Sequence, residues 1–185
     1  PTALVLASKN RAIINRLSSE FSAPQLRNYK SFDPTGVELC GALKNIYAIA
    51  AGICDGLNCG DNARAALNTR ALAEMSRAVE ALGGKHLTVF GLAGVGDLFL
   101  TCSSSKSRNY QFGLGLAGGR SSDDLLASLG TVEGVWTAAV AKVLCRNQKL
   151  RTPIIDIVVA ILEKKLDPHD ALKKLMQREV RGEFD

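Results

Sequence analysis

A chain of 185 residues is one ordinary domain, or one domain with a remnant of another, and it can bury a core without disulfides or metal. With 46% hydrophobic and 22% charged residues it has the balance of a globular protein, which excludes a disordered or low-complexity chain. The net charge of +5 suits an anionic small molecule, whereas the basic residues are too scattered, and too rarely interleaved with aromatics, for a nucleic-acid surface.

The apolar run Ala3-Leu4-Val5-Leu6-Ala7 has the character of a buried parallel strand. Residues 3–8 are predicted as a strand, 9–21 as an amphipathic helix and 26–31 as a second strand. This is one βαβ-like unit, too small alone for a doubly wound sheet. A chain opening on such a strand, with no signal-peptide pattern, reads as a piece of something larger, and its expected home is cytoplasmic, or organellar where a transit peptide has been lost.

From Asp33 onward no strand pattern recurs. Asp33-Pro34 pairs a capping side chain with a proline in the first turn, and predicts a long helix to about Ile53. Residues 37–53 raise the question of a membrane span. Lys44 and Asn45 break the apolar run, and a span needs about 20 such residues, so the helix is read as a buried core helix without membrane insertion.

A turn-rich stretch, 54–62, leads to a second long helix, 63–82, stopped at Gly83-Gly84. A glycine-punctuated segment from Gly91 to Asp97 and a polar loop, 101–108, come next. Helices are predicted over 108–117, 122–129, 134–147, 153–165 and 168–178. Ser121 with Asp124 resembles a capping box, and Thr152-Pro153 and Asp167-Pro168 are cap-plus-proline starts. The expected fold is mainly α: a short βαβ remnant over 1–33 and an all-helical domain over 34–185.

The five cysteines are odd in number and irregular in spacing, which argues for buried thiols rather than a disulfide framework. No Cys-x-x-Cys pair occurs, and His86 and His169 fall in no ligand pattern, so no metal site is expected.

Three features carry chemistry. Lys44 lies among apolar residues on the first long helix. Burial there would lower its pKa toward that of a general acid/base; alternatively it snorkels or pairs with a carboxylate. Asp97 follows three glycines that permit close approach, so it either holds the lysine and orients a substrate hydroxyl or caps a short helix at 98–100. Ser105-Lys106-Ser107-Arg108-Asn109 sets cations and hydroxyls at a loop-to-helix junction, which makes an anion site or an exposed polar loop. Gly113-Leu114-Gly115-Leu116-Ala117-Gly118 matches the dinucleotide fingerprint in letters only. No buried strand precedes it, and helix–helix contact explains its glycines better.

Gly36-Val37-Glu38-Leu39-Cys40-Gly41-Ala42-Leu43-Lys44-Asn45 closely resembles the lysine-bearing signature of NAD-dependent glycerol-3-phosphate dehydrogenases. So do Gly60-Asp61-Asn62, Gly91-Leu92-Ala93-Gly94-Val95-Gly96-Asp97-Leu98, Thr101-Cys102, Ser107-Arg108-Asn109 and Val132-Glu133-Gly134, in the same order and nearer the bacterial type. The resemblance implies a two-domain oxidoreductase. A Rossmann domain binds NAD or NADP, and a helical domain binds glycerol 3-phosphate or dihydroxyacetone phosphate. It implies Lys44 as the proton donor and acceptor, with Asp97 beside it. Ser107, Arg108 and Asn109 would hold substrate, with Asn45 and Thr101 as neighbours, and Arg108 and Glu133 would reach the cofactor. A homodimer is also implied. The family's glycine-rich phosphate loop is absent from these residues, so the chain alone is expected to be inactive. Competing assignments are a 6-phosphogluconate or hydroxyacid dehydrogenase, which also use a helix-borne lysine, and a non-catalytic helical dimerisation module.

Overall fold

The computed structural model describes residues 1–176, and the last two residues of the predicted helix 168–178 lie outside them. Strand β1 (Thr2–Ala7), helix α1 (Arg11–Glu20) and strand β2 (Leu26–Ser31) form the N-terminal unit. The strands pair in parallel from Thr2↔Leu26 to Ala7↔Ser31. Asn10 starts α1 by accepting from the amides of Ala12 and Ile13 at 2.9 and 3.2 Å, the usual work of an N-cap side chain.

The remaining elements among the described residues are helical: α2 (Pro34–Gly56), α3 (Asp61–Ala81), α4 (His86–Val89), a π-helical turn (Leu92–Gly96), α5 (Asp97–Ser103), α6 (Arg108–Ala117), α7 (Ser122–Leu129), α8 (Glu133–Asn147), α9 (Pro153–Leu162) and α10 (Pro168–Met176). Helix α2 is long and apolar enough to cross a membrane, yet it is the centre of a bundle. It packs on α6, α5, α8, α3 and α9, and Cys40, Ile46, Tyr47, Ile49 and Ala51 on it are fully buried or nearly so. An apolar helix surrounded on most sides buries most of its circumference, as its composition anticipates.

The α2–α6 contact is the tightest in the bundle because two glycines meet it from opposite sides. A methyl group on Gly52 would fall 2.0 Å from the Tyr110 carbonyl oxygen, and one on Gly113 would fall 2.1 Å from that of Ile49. The fingerprint-like glycines therefore serve packing, as expected from the polar residues before them. Gly113 seats α6 on α2, and Gly115 makes room for Leu125 of α7.

Local signals place most helix ends. Asp33 accepts from Gly36 N at 3.0 Å and starts α2. Gly83, at φ 91°, closes α3 with Gly84 N donating to Val79 O at 2.8 Å. Asp167 accepts from His169 N at 2.8 Å ahead of α10, and Ser121 accepts from Asp124 N at 3.1 Å ahead of α7.

Four expectations need correction. The glycine-rich segment is not a string of turns. It forms the π-helical turn, with Gly96 N reaching Gly91 O at 3.3 Å, and runs straight into α5. That geometry exists because Gly94 lies against the Val89 carbonyl, where a Cβ would sit 2.0 Å away. The predicted polar loop shrinks accordingly to residues 104–107, and the short helix α4 was not anticipated. Helix α9 ends at Leu162 rather than near 165, because Lys164 turns left-handed at φ 56° and Lys165 N folds back to Ala160 O at 2.8 Å. Thr152 makes no side-chain cap at the head of α9. Glu74 of α3 caps it instead, accepting from Ile154 N and Ile155 N at 3.0 Å each.

Candidate functional site

Two neighbouring residues of α2, Lys44 and Asn45, each begin a hydrogen-bond chain. The Lys44 ammonium donates to a carboxylate oxygen of Asp97, the first residue of α5. The lysine is therefore paired rather than snorkelled. Its side chain keeps 22% of its exposure and that of Asp97 keeps 35%, so the pair is screened but reachable by a solute. Thr101 stands one turn along α5, on the same face as Asp97. Its hydroxyl donates to the Asp97 carbonyl at 2.6 Å.

Asn45 is buried and points the other way. Its amide donates to a Glu133 carboxylate oxygen at 3.0 Å and to Gly41 O at 3.3 Å. Its oxygen accepts from the Asn109 amide at 2.9 Å, and the Asn109 oxygen accepts from Gly134 N at 2.9 Å. Five residues from α2, α6 and α8 thus form one polar network, as buried polar groups require.

Between these chains opens a cleft of about 310 Å³, lined among others by Asn45, Thr101, Ser107, Arg108, Asn109 and Glu133. Lys44 and Asp97 do not line it; they border it through their neighbours Asn45 and Thr101. Ser107 is the N-cap of α6 and accepts from Tyr110 N at 3.3 Å. Ser107, Arg108 and Asn109 at the head of α6 line the cleft, and Arg108 is exposed and makes no ion pair among the described residues. A helix N-terminus with an adjoining free guanidinium can hold an anion. Lys106 lines the same cleft and adds a second cation.

The head of α6 is seated from its other side. Tyr110 donates its hydroxyl to Asp55 at 2.7 Å, at the C-terminal end of α2, and Arg64 of α3 reaches the same carboxylate oxygen at 3.2 Å. Burial and the bond to Asp55 push the Tyr110 phenol up to about 12, so it holds its proton and remains a donor.

The structure thus gathers Asn45, Thr101, Ser107, Arg108, Asn109 and Glu133 round one cleft and sets Lys44 and Asp97 at its border. Asn109 is held from two sides. It is 8% exposed and lines the cleft with its side-chain amide engaged by Asn45 and Gly134. Ser104, Leu100 and Thr131 also line the cleft and were not singled out from sequence. Ser104 lay inside the polar loop and was findable. Thr131 carried no signal, because only the fold brings it across from the head of α8.

Residues 33–173 match the family model described as NAD-dependent glycerol-3-phosphate dehydrogenase C-terminus. A glycerol-3-phosphate dehydrogenase using NAD(P)+ from Synechococcus sp. (strain RCC307) is 48% identical over 99% of this chain and 61% of its own length. One from Methylibium petroleiphilum is 52% identical over 99% of this chain and 55% of its own. The crystal structure of glycerol-3-phosphate dehydrogenase from Coxiella burnetii superimposes with a TM-score of 0.92 at 44% identity, over 96% of this chain and 55% of that one. The chain therefore spans 55–61% of the length of these relatives.

Proposed function

Because the chain belongs to the NAD-dependent glycerol-3-phosphate dehydrogenase family, we propose that it forms the substrate-binding helical part of an enzyme interconverting sn-glycerol 3-phosphate and dihydroxyacetone phosphate. Residues 34–185 make the substrate domain, and residues 1–33 belong to the nucleotide-binding domain. The observation that carries this reading is the Lys44–Asp97 pair at the border of a cleft that Arg108 and the head of α6 line. A proton-transfer group and a cationic helix head at one cleft suit a phosphorylated alcohol.

In this reading the substrate phosphate lies against Arg108, Lys106 and the first amides of α6. That anchoring, remote from the reacting carbon, orients C2 toward Lys44. Lys44 as the neutral amine takes the proton of the C2 hydroxyl during oxidation, and as the ammonium returns it to the carbonyl oxygen during reduction. Asp97 holds the ammonium in place, and Thr101, bonded to the Asp97 backbone, steadies the turn that carries it. Asn45 and Asn109 position the cleft walls.

The fit to a nicotinamide dinucleotide is a partial one. Arg108 offers a charge to a pyrophosphate, and Glu133, exposed and hydrogen-bonded by Asn45, offers a carboxylate at the cleft rim. The glycines of α6 offer no cradle, because Gly113 and Gly115 are filled by Ile49 and Leu125. NAD or NADP, when bound, supplies hydride donation or acceptance at C2.

Calorimetric titration of the chain with glycerol 3-phosphate tests the anion site. Binding should weaken about tenfold or more in Arg108→Ala, the loss expected for one charge-assisted contact, and glycerol should not compete. Equal affinity for glycerol and glycerol 3-phosphate would end this reading. We also propose a homodimer through the outer face of α8, where Trp136, Val140 and Val143 are 69, 60 and 58% exposed. Sedimentation should give a dimer for the wild type and a monomer for Trp136→Glu.

A further inference from the structure

The turn between α2 and α3 holds two cysteines that the proposed chemistry leaves unused. Leu57 N donates to Ile53 O at 3.0 Å, Asn58 N to Asp55 O at 3.0 Å, and Cys59 N to Cys54 O at 3.2 Å. Asn58 sits in the left-handed region at φ 54°. These are the bonds of a Schellman turn, in which the residue after the left-handed position folds back onto the residue five before it. Cys54 and Cys59 occupy those two positions, where side chains commonly touch. Here those two positions carry thiols, close enough for Cys59 to bear on the ionisation of Cys54. Both are free; Cys54 is buried, and Cys59 is partly open to solvent.

We propose that Cys54 and Cys59 form a modification site, a thiol pair that closes to an intramolecular disulfide on meeting a small disulfide such as oxidised glutathione. The Cys59 thiolate attacks one glutathione sulfur, expels the other glutathione as a thiolate and leaves a mixed disulfide. The Cys54 thiolate then attacks Cys59 Sγ and releases the second glutathione. Two cysteine thiols give up two electrons and two protons, and one glutathione disulfide becomes two glutathione thiols.

The order of attack follows from exposure. Cys59 is the sulfur an oxidant can reach. Cys54 is held back because burial, then the charge of a Cys59 thiolate, then Asp55, push its thiol up to about 12. Once Cys59 is in the mixed disulfide its charge is gone, and that part of the restraint on Cys54 goes with it. The closed bridge ties the end of α2 to the approach to α3, beside the Asp55 carboxylate that seats Tyr110 and so α6. The inference rests on the turn itself and is independent of the dehydrogenase reading.

The test is to equilibrate the native chain with mixtures of reduced and oxidised glutathione, trap thiols by alkylation and map the digest by mass spectrometry. A peptide bridged between Cys54 and Cys59, two hydrogens lighter than its reduced form, is the expected product. Its equilibrium constant should exceed that of the same chain in denaturing urea by about tenfold or more, because the folded turn holds the sulfurs together. Cys54→Ser should stop at a glutathione adduct on Cys59, and Cys59→Ser should leave Cys54 unmodified. A wild-type chain that stops at the mixed disulfide, that bridges Cys54 to Cys102 instead, or that bridges no better folded than unfolded overturns the proposal.

Discussion

Asn109 donates to Asn45 across the α2–α6 interface at 2.9 Å while its oxygen holds the amide of Gly134 at the head of α8. One side chain thus joins the helix bearing Lys44, the helix bearing Arg108 and the helix bearing Glu133. Asn109→Leu, similarly branched at Cγ, leaves both partners buried and unpaired. It should cost about 1–3 kcal/mol per orphaned group in urea unfolding. Glycerol 3-phosphate affinity should fall with it, although the substrate need never touch Asn109. Wild-type stability in that variant would show the network to be incidental.

Lys44→Met keeps the length and apolar stem of the side chain and removes the transferable proton. Joined to the nucleotide-binding domain of a longer relative, this chain should lose about 10²- to 10⁴-fold in kcat, with KM for the cofactor nearly unchanged. Turnover close to that of the wild type removes Lys44 from proton transfer.

Glycine positions on α2 and α6 make a paired test of the packing. Gly113→Ala drives a methyl group to 2.1 Å from a backbone carbonyl that cannot move aside, so it should destabilise by about 2–3 kcal/mol or prevent folding. Gly41→Ala meets nothing within 4 Å and should stabilise by a few tenths to about 1 kcal/mol through helix propensity. Thermal unfolding of the two variants reads both signs at once.

Asp33 is buried and accepts from Gly36 N at 3.0 Å, Lys85 N at 2.8 Å and the Thr88 hydroxyl at 2.6 Å. Burial pushes its carboxyl up, but the bonds from Thr88, Gly36 and Lys85 together outweigh burial and hold it below the usual range. A lowered folded pKa means that its stabilisation is complete above the unfolded value, near pH 4, and is lost as pH falls through the folded one. Asp33→Ala should cost about 2–3 kcal/mol at neutral pH and less in acid. Urea midpoints at pH 7 and pH 3 measure the difference.

Glu74 has the opposite sign. Burial pushes its carboxyl up to about 7, against the pull of the Ile154 and Ile155 amides and of Arg77. With a folded pKa above the unfolded value, its contribution is greatest below about pH 4.5 and declines as pH rises through 7. The loss is about 3 kcal/mol at most. Glu74→Gln should flatten the fall in stability between pH 5 and pH 8 while keeping one of the two α9 caps. An unchanged slope would assign the pH dependence to another group.

Local signals were legible wherever cause and effect lie within a few residues. Asp33-Pro34 announced α2, Gly83-Gly84 closed α3, and the apolar composition of residues 37–53 announced a central helix. The left-handed Lys164 that shortens α9 was not legible, since lysine rarely adopts that conformation and carries no turn signal. Nor was the π-helical turn, whose glycines read as punctuation until the Val89 carbonyl lay against Gly94.

The amino-acid sequence determined which chemical groups are present and which short segments curl into helices, because capping, periodicity and glycine geometry act over one or two turns. It also carried the family's motifs in order. Only the tertiary structure decided that Asp97, rather than solvent, receives the Lys44 ammonium, that Glu74 caps a helix on the far side of the chain, and that Asn109 faces inward. Those pairings join residues tens of positions apart. Hydrogen bonds and ion pairs depend on distances that close only when the bundle packs, and no local pattern encodes them.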